Sequence, residues 1–166
     1  MSTISRRLRF VTLVTALAVA LPVIAAASST TTTATTTKTT KTKTLYTQLG
    51  SKKGITAVVD DFIANLKKDT RVESFFAPTF ADPTRTATFK THLVDQLCQA
   101  SGGPCKYTGK DMKAAHEGMG IKQEHFNAVV EDLTAALDKH KVPADAKNQL
   151  LGVLGPMKPE IAGGEE

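Results

Sequence analysis

Four histidines and two cysteines are the side chains in this sequence best able to hold a metal, and four of these six cluster in the chain. His92, Cys98, Cys105 and His116 follow one another closely, with His125 and His140 further on. The stretch "DMKAAHEGMGI" sets His116 among alanines and methionines, on a short helix that ends on glycines. A buried imidazole needs partners for its polar nitrogens, and nothing nearby in the sequence offers one. His92 stands three residues after Phe89 and beside Leu93, so it shares their apolar helix face.

Between the two histidines lies "SGGPCKYTG", whose Gly102, Gly103 and Pro104 break the chain direction. The hinge folds two apolar helix faces toward one another, with an imidazole on each wall. Such a slot suits haem, which needs an axial nitrogen, apolar walls and an aromatic wedge. Phe75 or Phe76 supplies the wedge. Two core histidines bonded to backbone carbonyls fit the same pattern. A zinc site of His92, Cys98, Cys105 and His116 has the right atoms but not the close pairs typical of structural zinc. His125 falls just off its helix's apolar stripe and reads as surface. His140 closes a helix, where a cation suits the dipole.

Cys98 and Cys105 are too few for a disulfide framework. The hinge brings their Cβ atoms within bridging range, so one disulfide is expected in an exported protein, with two buried free thiols as the alternative. No Cys-x-x-Cys-His precedes a covalent haem. No Ser/His/Asp or Cys/His motif is present, and no glycine-rich phosphate loop follows a strand. The acid pairs Asp60-Asp61 and Glu131-Asp132 read as solvated helix faces.

The elements that position these residues are all predicted helices. "LYTQLG" opens the domain. "GITAVVDDFIANLKKD" places Ile55, Val58, Val59, Phe62, Ile63 and Leu66 on one face. "TRVESFFAP" is a helical turn stopped before Pro78. A polar connection leads to a helix from about Thr84 to Ala100, with Phe89, Leu93, Leu97 and Ala100 as its buried stripe. A short helix starting at Asp111 puts Met112, Ala115, His116 and Met119 on one face. The next carries Phe126, Val129, Val130, Leu133, Ala136 and Leu137. The last opens at Pro143 and ends near Gly155-Pro156.

The chain has 166 residues and a formal charge of +5. Six of its 21 basic residues precede Leu45, so 15 basic residues remain against 16 acidic ones. A near-neutral domain with no basic stripe excludes nucleic-acid binding. Residues 1–27 read as a signal peptide: arginines at the start, an apolar run from Phe10 to Ile24, and Ala25 and Ala27 at the cleavage site. "SRRLRF" hints at the twin-arginine route. The expected location is periplasmic or secreted, with membrane attachment only if the leader is uncleaved. Residues 28–44, almost pure Thr, Ser and Lys, read as a disordered linker. The folded domain is expected over 45–161, with a disordered tail over 162–166.

From about Leu45 to Ile161 the chain closely resembles the group I truncated haemoglobins, small globins with a two-over-two helical sandwich. The resemblance is carried by "LYTQLG", "VVDDFIANL", the Phe75-Phe76 pair, "HLVDQLCQASGGPCKYTGKDMKAAHEGMGI" and "HFNAVVEDLTAALDKHKVP". It implies non-covalent haem b, with His116 as proximal iron ligand and Phe76 as the wedge. It sets Phe89, His92 and Leu93 on the distal helix, and Met112 beside His116 along the cofactor. Some members carry a histidine at the position of His92, where it closes the sixth site, so His92 is the implied distal ligand. The implied function is reversible binding of oxygen, carbon monoxide or nitric oxide. A bis-histidine electron carrier, an enzyme consuming nitric oxide or peroxide with an unidentified reductase, and a helical module without haem are the alternatives.

Three departures matter. Many members follow the second-helix phenylalanine with a tyrosine that holds bound oxygen; here Ile63 follows Phe62. Phe89 and Leu93 stand where distal glutamines often assist. The stretch from Phe76 to Phe89 is several residues longer than usual. Gas binding is expected to survive these changes, whereas tight oxygen retention and nitric-oxide dioxygenation are put in doubt.

Overall fold

The computed structural model describes residues 43–163, and among them every regular element is helical. The expected signal peptide, the linker up to residue 42 and residues 164–166 lie outside the described residues. The helices are α1 (Leu45–Gln48), α2 (Ser51–Leu66), α3 (Glu73–Phe80), α4 (Pro83–Ala100), α5 (Met112–His116), α6 (Gln123–Lys139), α7 (Ala144–Leu154) and α8 (Lys158–Ala162). A 3-10 turn, Gly155–Met157, joins the last two. Helical structure begins at Leu45 and extends one residue past Ile161. Thr44 accepts a hydrogen bond from the Thr47 N–H as the cap of α1, and Ala162 ends α8.

The centre is α2. Its apolar residues recur at helical spacing, and Ile55, Val58, Val59, Phe62, Ile63 and Leu66 are all buried, as expected. This face packs chiefly against α6 and α4. Leu66 is fully enclosed, so its replacement by Ala costs about 2–5 kcal/mol.

Four expectations need correction. Helix α3 does not stop before Pro78 but runs through it to Phe80. Proline forfeits the bond to the Ser74 carbonyl, yet Ser74 and Pro78 are both exposed, so water takes that carbonyl. Only Ala81 and Asp82 then separate α3 from α4, and Asp82 caps α4 by accepting from the N–H groups of Thr84 and Arg85.

The deepest residues of α4 are Val94, Leu97 and Cys98, with Phe89 and Leu93 only half-buried beside them. On α6 the buried set is Ala128, Leu133, Ala136 and Leu137, while Phe126, Val129 and Val130 are partly exposed. The C-terminal helix does not end at Gly155-Pro156. Pro156 and Pro159 each fall in a first helical turn, where a missing N–H costs nothing, so the chain restarts twice.

Polar latches join α2 to α6. Asn65 donates to the Asp132 carbonyl at 3.0 Å. Asp61 accepts from Lys139 at 2.6 Å and from His140 at 2.7 Å, and these hydrogen bonds hold its carboxyl below the usual range. Asp60 meets Lys90. The Asp60-Asp61 pair is thus engaged rather than merely solvated, and His140 is a hydrogen-bond partner of Asp61 as well as a helix cap. Asp132 also departs from the solvated reading: its Oδ2 is buried without a hydrogen-bond partner. Burial, and then the charge of Asp69, push its carboxyl upward.

Candidate functional site

The hinge between α4 and α5 is closed by a disulfide between Cys98 and Cys105, with Cα atoms 5.7 Å apart. The bridge takes both thiols out of any thiolate ligand set, which removes the zinc reading. Among the described residues no group of three metal-ligating side chains converges. Gly103 lies against this bridge. A Cβ there would sit 2.5 Å from the Tyr46 ring and 2.7 Å from the Cys98 Sγ, so only glycine fits. The Tyr46 N–H in turn donates to the Ser101 carbonyl, docking α1 on the end of α4.

On the α3–α4 side, three phenylalanines gather. Phe76 lies 5.7 Å from both Phe80 and Phe89, centroid to centroid, and Phe80 lies 6.1 Å from Phe89. Phe75 turns the other way and packs on His125 at 4.8 Å. Of the two candidate wedges, Phe76 therefore joins the expected site residues. His125 is not a plain surface residue, since it supports Phe75 and accepts from the Lys122 N–H at the start of α6.

Phe89 and His92 line one open cleft of about 300 Å³ with Thr79, Thr84, Arg85 and Thr88. Leu93 packs half-buried against the core. Ile63 is buried and offers no hydrogen-bond donor. Among the residues lining the cleft, His92 and Arg85 are the nitrogen donors.

The short helix α5 starts as expected at Asp111, whose side chain accepts from the Ala114 N–H. His116 is its last residue, and Glu117 leaves the helix with extended backbone. Met119 therefore does not share the face of Met112 and His116; it is exposed, as is Ala115. The His116 ring does have a partner within the chain: its Nδ1 lies 2.7 Å from the Met112 carbonyl oxygen. A carbonyl only accepts, so Nδ1 carries the proton and Nε2 keeps a free lone pair. Met112 also meets α4, where Gln96 Nε2 stands 3.5 Å from both the Met112 and Met157 sulfurs. Gln96 is one turn from His92, as Met112 is one turn from His116.

The four histidines now separate. His116, His125 and His140 each commit a ring nitrogen to a hydrogen bond. His92 makes none with any described residue, and its recorded aromatic contact is the Tyr107 ring at 5.8 Å, edge to face. The sequence reading missed Tyr107, Phe80, Gln96 and Met157. Phe80 was findable, being four residues after Phe76 on one helix. Gln96 was findable in the same way, one turn after His92 on α4, whereas Tyr107 and Met157 come from segments whose placement no periodicity reveals.

Comparison with known proteins agrees with this arrangement. The family model for bacterial-like globins matches residues 44–162. The chain is 34% identical over 122 residues to the group 1 truncated hemoglobin GlbN of Mycolicibacterium paratuberculosis, across 74% of this chain and 86% of that one. Against the group 1 truncated hemoglobin GlbN of Synechocystis sp. it is 36% identical over 116 residues, across 68% and 90%. The crystal structure of truncated hemoglobin from Tetrahymena pyriformis in the Fe(III) form matches with a TM-score of 0.65 at 29% identity, across 72% and 98%. The 2/2 hemoglobin from Synechococcus sp., in the cyanomet state and with covalently attached heme, gives 0.65 at 28%, across 73% and 99%.

The fold is that of a globin. More narrowly, the chain belongs to the group I truncated haemoglobins, the two-over-two globins, whose cofactor is haem. The donor chemistry fits that group. His116 has one nitrogen anchored on a carbonyl and the other free to ligate, the arrangement that orients metal-bound histidines. Phe76, Phe89, Leu93 and Met112 are half-buried apolar side chains that would wall the group.

Proposed function

We propose that this chain is an exported haem b globin that reversibly binds oxygen or another diatomic gas, with His116 ligating the iron and His92 as the internal sixth ligand. The observation that carries the reading is the His116–Met112 hydrogen bond, which leaves Nε2 as a basic, oriented donor. Bound haem, held through His116, would supply an iron able to take up a small gas. Phe76 and Phe89 line that side with apolar rings, and His92, with no ring nitrogen committed to a described residue, is the side chain available to ligate the iron or to donate to a bound gas.

The disulfide supports export, because such bridges persist in oxidising compartments. The leader over 1–27 and the Thr/Ser/Lys linker support it independently. Non-covalent haem is the reading here, although one similar structure carries its haem covalently. Both cysteines are engaged in the disulfide. Extraction of the haem into acidic butanone tests this directly.

A second reading, a bis-histidine electron carrier, is favoured by the same unpartnered His92. Nitric-oxide detoxification finds less support, because Ile63, Phe89 and Leu93 offer a bound gas no hydrogen bond. One optical experiment separates these. Protein loaded with haemin, reduced and exposed to carbon monoxide should show a Soret band that shifts on gas addition. A reduced haem protein that never takes up carbon monoxide is an electron carrier, and a chain with no Soret band is no haem protein.

A further inference from the structure

We propose that Tyr107, in the hinge, is the positioning residue for His92, its ring edge holding the imidazole toward the cleft. The inference rests on the proposed reading of His92 as sixth ligand and deepens it. His92 lines the cleft while touching Tyr107 at 5.8 Å, with 72° between the ring planes. No described residue hydrogen-bonds its ring nitrogens, so packing rather than polar bonding sets its orientation. An edge-to-face aromatic contact changes an equilibrium by about two- to tenfold, enough to decide between two rotamers.

Tyr107 can hold His92 only if it is itself held, and the hinge fixes it from several directions. Its hydroxyl donates to the Lys110 carbonyl at 2.7 Å, and its backbone N–H donates to Gln99 Oε1 at 2.8 Å. Gln99 sits on α4, the helix that carries His92. Two residues before Tyr107, the disulfide ties Cys105 to Cys98 on that same helix. Gly109 leaves room for the ring: a Cβ there would stand 2.3 Å from the Tyr107 hydroxyl oxygen and 2.5 Å from Cζ.

The test uses the full haem-loaded protein and reads the low-spin fraction of the ferric form, together with the rate of carbon monoxide binding to the ferrous form. Tyr107→Ala should lower the ratio of six-coordinate to open species by about two- to tenfold. Tyr107→Phe, which keeps the ring, should stay within about twofold of wild type. Gly109→Ala, which displaces the ring without removing it, should behave like Tyr107→Ala. Once His92→Leu is present, Tyr107→Ala should change nothing further, because its effect runs through His92.

An unchanged Tyr107→Ala spectrum, or full addition of the two effects in the double variant, overturns the positioning role while leaving His92 a ligand. A wild-type spectrum and gas kinetics untouched by His92→Leu overturn the ligand reading itself, and the role of Tyr107 falls with it. Circular dichroism and melting of each variant separate an altered site from an unfolded one.

Discussion

The Nδ1 of His116 donates to the carbonyl oxygen of Met112, one turn back on the same short helix, at 2.7 Å. That bond assigns the donor proton to Nδ1, so the neutral ring offers its lone pair at Nε2. The backbone thus sets which nitrogen is offered, and the helix ends at the residue that needs to project.

His116→Ala should abolish stable haem retention, because it removes the proposed proximal ligand. Supplied with haemin, the purified variant should show no Soret band while keeping its helical circular dichroism. A normal six-coordinate spectrum with unchanged haem affinity would place the iron elsewhere.

His92→Leu should turn a low-spin ferric spectrum high-spin and speed carbon monoxide binding. An internal ligand must leave before gas enters, so apparent affinity is reduced by the closed fraction. Oxygen should also leave faster, since Ile63 offers no replacement hydrogen bond. Stopped-flow mixing reads both rates, and a wild-type ferrous form already five-coordinate at neutral pH would make His92 a bystander.

Reduction of Cys98–Cys105 should lower stability by about 2–3 kcal/mol, the chain-entropy value for so short a loop. Intact-mass analysis of the denatured, alkylated protein should show no labelled cysteine before reduction and two afterwards. Equal melting temperatures with and without reductant would show that the hinge does not depend on the bridge.

Gly103→Ala forces a methyl group into the Tyr46 ring and the Cys98 sulfur. Overpacking of this kind costs about 1–3 kcal/mol, so thermal melting should fall by several degrees. A variant as stable as wild type would mean that the hinge relaxes freely.

Asp132→Asn should stabilise the protein at neutral pH, because it removes a charge that burial and the nearby Asp69 disfavour, although the amide atom at the Oδ2 position stays without a partner. Burial raises the folded carboxyl, so the folded chain binds this proton more tightly than the unfolded one. Its cost is absent below the unfolded carboxylate value of about 3.9 and develops as pH rises through the folded value. The advantage of Asn should therefore shrink as pH falls toward about 4. Asp61 has the opposite sign: its lowered carboxyl stabilises the fold above the ordinary carboxylate range and ceases to do so as pH falls. Melting curves of Asp132→Asn and Asp61→Asn across pH should diverge in these directions.

The α2 face was legible residue by residue, because a fully buried stripe leaves an unbroken 3.6-residue pattern. So was the start of α5, where Asp111 is a capping residue before a helical run. The stripe of α4 was misplaced toward Phe89 and Leu93, because hydrophobicity alone does not distinguish a core face from a cleft wall. Pro78 was misleading for a physical reason: a helix tolerates the lost bond when the orphaned carbonyl faces water. Met119 was assigned by extending a helix that ends at His116. The Tyr107–His92 contact was invisible, since it depends on how an irregular hinge folds and no spacing rule reaches across it.

The latches between α2 and α6 matter for alignment more than for strength. An apolar helix face tolerates sliding, because one ridge of Leu, Val and Ala resembles the next after a full turn. Asn65 on the Asp132 carbonyl, and Asp61 on Lys139 and His140, are satisfied in one register only. A single residue inserted into the middle of α2, between Asp61 and Asn65, would leave one latch or the other unmade while changing the apolar content hardly at all. These contacts, the exposed ones at Asp61 each worth little as a bond, work as index marks that fix where two greasy helices stop sliding.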